Sequence, residues 1–164
     1  MAKARLRRYR ITLGLNIQVV DNLGANGVFD GGVIKISSGI TGNPDLTAAV
    51  LAHELYHFTY PVDFGSTTPS RTTYINTYLY NEGGAMYDQM SFIRGGQATF
   101  PGLGTVNMPA GSWAVYDQVQ NGQLTHAQGT QQLGQIYGAL TRSDGRTMEE
   151  FYGSHWDETY GGGG

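Results

Sequence analysis

Residues 43–61 read Asn43-Pro44-Asp45-Leu46-Thr47-Ala48-Ala49-Val50-Leu51-Ala52-His53-Glu54-Leu55-Tyr56-His57-Phe58-Thr59-Tyr60-Pro61. The stretch begins with a helix-start signal. Asn43 is placed to cap, Pro44 suits the first helical position because its missing N–H is not needed there, and Asp45 meets the positive end of the helix dipole. Leu46, Val50, Leu51, Leu55 and Phe58 recur at helical spacing, and Pro61 forbids continuation, so a helix ending before Pro61 is predicted. Within it His53 and His57 stand four apart. At about 100° per residue both imidazoles return to one face and can reach a single cation. Neutral imidazole suits Zn²⁺, and a catalytic zinc keeps three protein ligands and one open position for water. Glu54, next to His53, is placed to act as general base towards that water, whose pKa a zinc ion lowers towards about 7.

The chain has no cysteine, so any metal must be held by histidine and carboxylate. Glu82, in Tyr80-Asn81-Glu82-Gly83-Gly84-Ala85, is one candidate third ligand, on an otherwise apolar helical face shared with Tyr78, Leu79 and Met86. A carboxylate there needs a charge partner or a metal. Gly83 and Gly84 would remove bulk where two helices approach, although each costs about 1 kcal/mol of helix propensity. Asp63, six residues after His57, is the rival ligand, or else a loop carboxylate or a partner for a histidine N–H. Asn81 and Asp88 are further candidates for that supporting role. For the donor that would stabilise an oxyanion, His155 in Tyr152-Gly153-Ser154-His155-Trp156-Asp157 is nominated ahead of His126 and the eleven tyrosines.

The remaining chain reads as an α+β domain. Alternation from Arg10 to Val20 predicts a half-buried strand with Ile11, Leu13, Leu15, Ile17 and Val19 on one face, and Val28 to Ser37 reads as a second extended segment. A loop over 62–70 precedes a second long helix over 72–93, stopped by Gly95 and Gly96. Residues 97–111, rich in Gly and Pro, read as a long surface loop. Three shorter helices follow, one starting at Ser112 and two opened by the capping-box pairs Thr125/Gln128 and Thr147/Glu150. The organisation expected is a basic arm or junction at 1–10, a single domain over 11–160 and a flexible Gly tail at 161–164.

Charge narrows the partners. Lys3, Arg5, Arg7, Arg8 and Arg10 are half of all ten Lys and Arg, which leaves five basic residues against all thirteen acidic ones from residue 11 onward. A folded part that acidic does not suit nucleic acid, which wants a basic face. No run approaches eighteen apolar residues, so no membrane span is expected, and Asn16 and Gln18 interrupt the stretch after the basic start, so no signal peptide is expected in this chain.

His53-Glu54-Leu55-Tyr56-His57, preceded by Ile34-Lys35-Ile36-Ser37-Ser38-Gly39, resembles the zincin metallopeptidase core, and Glu82 on the following helix makes the layout similar to the gluzincin branch. The resemblance implies a zinc-dependent endopeptidase acting on a protein or peptide, with an edge strand before the active-site helix that pairs with extended substrate. Met86 stands where thermolysin-like enzymes carry an Asp four residues after the ligand Glu. Asn81-Glu82-Gly83 and the Tyr-Gly-x-x-Trp-Asp ending resemble toxin-type metallopeptidase domains at the C-termini of bacterial type VI secretion spike proteins and Rhs-like polymorphic toxins. That likeness covers most of residues 28–160. It implies an effector, secreted or delivered into a target cell, and an immunity protein or inhibitor as partner; separately, a monomer is expected. The alternatives are a catalytically inactive zinc-stabilised binding module and a zinc-independent structural domain.

Overall fold

Gly31 and Gly32 both have positive φ, 55° and 83°, and they split the predicted segment from Val28 to Ser37 into two strands. A two-residue turn with both central residues left-handed is the hairpin connection whose twist matches its strands, and glycine adopts it without a Cβ penalty. The computed structural model describes residues 15–161. Strand β1 (Asn16–Val20) pairs in parallel with β3 (Val33–Ser37), which pairs antiparallel with β2 (Gly27–Asp30), giving the order β1-β3-β2. Five α-helices follow among the described residues: α1 (Pro44–Thr59), α2 (Arg71–Gly96), α3 (Ser112–Gln120), α4 (His126–Gly138) and α5 (Met148–Tyr160). The chain is therefore mixed α+β with a small N-terminal sheet, as its sequence pattern predicts. Ile11, Leu13, the basic arm and residues 162–164 of the Gly tail lie outside the described residues.

Contacts divide the chain into two units, Met1–Thr59 with Asp88–Val106, and Tyr60–Tyr87 with Asn107–Gly164. In the first, Ile34 and Ile36 of β3 are fully buried and pack with Leu15, Ile40, Val50 and Leu51. Helix α1 lies against β2 and β3, which leaves β1 less covered, and Val19, expected on the buried face, is 63% exposed. The start of α1 follows the sequence reading: Asn43 Oδ1 accepts from the Leu46 N–H at 3.0 Å. Residues 97–111 are not simply a surface loop. Pro101–Thr105 form a 3-10 turn whose Leu103 is fully buried, and Gly102 passes so close to Asp45 that a side chain there would overlap its carboxylate.

In the second unit Ile75, Leu79 and Tyr152 form the buried cluster. Helix α2 belongs to this unit as far as Tyr87; Ser70 Oγ caps it, accepting from Thr73 N–H at 3.1 Å. Both predicted capping boxes are present, at Thr125/Gln128 and Thr147/Glu150. Helices α2 and α4 touch backbone to backbone: a Cβ on Gly83 would collide with the Thr130 carbonyl, and one on Gly134 with the Leu79 carbonyl. No helix among the described residues is long and apolar enough to cross a membrane.

The Gly134 contact yields a stability test whose sign is informative. In a free helix Gly→Ala gains about 1 kcal/mol. Gly134→Ala should instead lose about 1–3 kcal/mol, as overpacking does, and lower the Tm by several degrees in a thermal melt. An unchanged or raised Tm would contradict the close crossing.

Candidate metal centre

The i, i+4 spacing on α1 brings the His53 and His57 rings to a centroid distance of 5.0 Å, with Nε2 to Nε2 at 3.2 Å. Both rings are half-buried. A single proton shared between two neutral imidazoles would account for that distance. So would a common cation: bonds of about 2.0–2.1 Å to two nitrogens 3.2 Å apart subtend roughly 100–105°, near the tetrahedral angle.

Glu82 is the third member of the group. It is 8% exposed, and its Oε1 accepts from the Tyr152 hydroxyl at 2.7 Å. Burial, followed by the charge of Glu82, pushes the Tyr152 phenol well above its usual range, so it remains a protonated donor. One ligand-capable atom from each of His53, His57 and Glu82 lies within 4.8 Å of the others. A carboxylate beside two histidines can accept a hydrogen bond from an imidazole N–H. It can also neutralise a divalent cation and complete a three-donor set with the two imidazoles. This His-His-Glu group could hold a metal ion.

Glu54 is 5% exposed, so a second carboxylate is buried beside the first histidine. Strand β2 runs close over it: a Cβ on Gly27 would sit 2.6 Å from Val50 Cγ1 and 2.8 Å from Glu54 Oε1. Only glycine lets the strand approach α1 at that point without moving the Glu54 side chain.

The other nominated residues lie elsewhere. Asp63 is exposed in the loop after α1, where its Oδ1 accepts from the Gly65 N–H at 2.7 Å, and it is not a member of the metal-capable group. Asp88 is exposed on α2, about 120° around the helix from Glu82. Asn81 Nδ2 donates to the Tyr60 carbonyl at 2.8 Å and so ties the chain just past α1 to α2. His155 is exposed on α5, its Nδ1 2.5 Å from the Tyr74 hydroxyl. Tyr74 stands eight positions before Glu82, about 12 Å along the helix. The Tyr74 phenol is raised well above the usual range, first by its burial and then by the Tyr78 hydroxyl. Sequence reasoning missed Tyr152 and Gly27. Tyr152 reads as one more apolar residue after a capping box, and Gly27 falls just before the extended segment that begins at Val28, with no local signal of its own.

Elemental analysis of the protein reconstituted with zinc should find one equivalent per chain. Glu82→Ala and His53→Ala should lose it and Asp63→Ala should keep it. Loss in Asp63→Ala alone would move the third ligand to the loop. Comparison with family models, with curated proteins and with solved structures finds no match for this chain, so the metal-capable group stands on its own geometry.

Proposed function

We propose that this protein is a zinc-dependent endopeptidase of zincin type, with His53, His57 and Glu82 as metal ligands and Glu54 as the residue that moves the proton. The observation that carries the reading is the buried Glu54, one position after a histidine of the His-His-Glu group. The group offers three donors among the described residues, whereas a purely structural zinc is closed by four. The same two-histidine, one-carboxylate set also suits iron(II) in oxygenases. Glu54 favours hydrolysis, since a carboxylate beside the metal is what a water nucleophile requires.

A bound zinc ion would supply Lewis acidity, acidifying water and polarising a carbonyl. The chain's own residues would do the rest. Glu54, held under the β2 backbone at Gly27, accepts the proton of the attacking water and passes it to the leaving amine. Substrate alignment falls to a different strand from the one expected. β3, which holds Ile34–Ser37, is paired on both sides, so it offers no edge. β2 has one side towards β3, and among the described residues no strand pairs with its other side. An extended peptide adding there would run beside Glu54. A role as a secreted or delivered effector, restrained by an immunity protein, is supported by the sequence resemblance alone.

Glu54→Gln keeps the shape of the side chain and removes the base. With an unfolded protein as substrate, turnover should fall by about 10²–10⁴-fold while one zinc per chain is retained. Normal turnover in that variant would rule out the proposed role of Glu54, and zinc without turnover in the wild type would favour an inactive binding module.

A further inference from the structure

We infer that Tyr152 on the C-terminal helix is a positioning residue of the metal centre, its hydroxyl fixing the Glu82 carboxylate in the orientation that metal binding needs. The inference rests on the metal-ligand reading above and not on the peptidase activity. Tyr74, Tyr78 and Glu82 follow one another at i, i+4 and i+8, so they form a stripe along one face of α2. Tyr152 and His155, three apart, form the matching face of α5. Two rungs join the stripes, Tyr152 to Glu82 at 2.7 Å and Tyr74 to His155 at 2.5 Å, and between them the Tyr78 and Tyr152 rings stack at 4.9 Å and 17°.

The far end of α5 is fastened independently. Trp156 Nε1 donates to the Pro69 carbonyl at 2.9 Å, and the Arg71 guanidinium pairs with Asp157 at 3.1 Å. The Tyr152 ring is thus held by stacking and by the register of its helix, so its hydroxyl is a fixed donor. A glutamate has three side-chain torsions and two oxygens. Engaging Oε1 with a fixed phenol restricts those torsions and so sets the direction in which the carboxylate faces. Partners of this kind typically change metal affinity by about 10–100-fold when removed.

The test is zinc affinity by competition with a fluorescent chelator, on the full chain, for the wild type, Tyr152→Phe and Tyr74→Phe. Both substitutions keep the ring and delete one buried hydroxyl from the same helix pair, so a loss of helix docking alone would affect them alike. Tyr152→Phe should bind zinc about 10–100-fold more weakly, and its cobalt-substituted form should show an altered visible absorption spectrum. Tyr74→Phe should match the wild type in both. Wild-type affinity and spectrum in Tyr152→Phe, or an equal loss in Tyr74→Phe, would overturn the inference. A wild type that binds neither metal would overturn the metal centre itself.

Discussion

A carboxylate withdrawn from water must be compensated, and the site is organised around that requirement at Glu82. An uncompensated buried charge costs several kcal/mol, more than a typical hydrogen bond returns. Glu82 is 8% exposed and meets a phenol that burial keeps protonated. Two imidazoles complete the group that could hold a metal ion. Glu54 faces the same constraint one position after His53, under a strand that only glycine could bring so near. Two buried carboxylates in a chain with 14% charged residues are a large electrostatic cost, and a divalent cation would offset it.

Holding Glu82 in place has a structural cost as well. Helix α2 contains Gly83 directly after Glu82, and Gly134 of α4 comes against α2 at Leu79, with backbone atoms in contact at both glycines. Each glycine sacrifices about 1 kcal/mol of helix propensity, which the close approach must repay through packing. The arrangement leaves little freedom for the α2 backbone around its carboxylate. The Asn81 side chain, bonded to the Tyr60 carbonyl, adds a second tie beside Glu82.

The parts legible in the sequence were those written in local chemistry. Asn43-Pro44-Asp45, the two capping boxes and the i, i+4 histidines each depend on residues within one or two turns, and each appears where the pattern puts it. The role of Gly83 was legible too, because a glycine beside a carboxylate in a helix asks for a reason. What was not legible depends on residues far apart in the chain. Tyr152 finds Glu82 across 70 positions, and no local pattern marks one phenol among eleven tyrosines. The Gly31-Gly32 turn is a local signal masked by the β-branched run of Val33, Ile34 and Ile36, which reads as the centre of one long strand. Leu103 shows the limit of composition: a Gly- and Pro-rich segment looks like a surface loop, yet one leucine turns it inward.

X-ray absorption spectroscopy of the zinc-loaded protein tests the metal centre most directly. The account predicts a four-coordinate shell, with two imidazole nitrogens, whose rings give a distinctive outer-shell scattering, and two oxygens, all at about 2.0–2.2 Å. A shell of oxygens alone, without the imidazole scattering, would show that His53 and His57 do not bind the ion and would contradict the account.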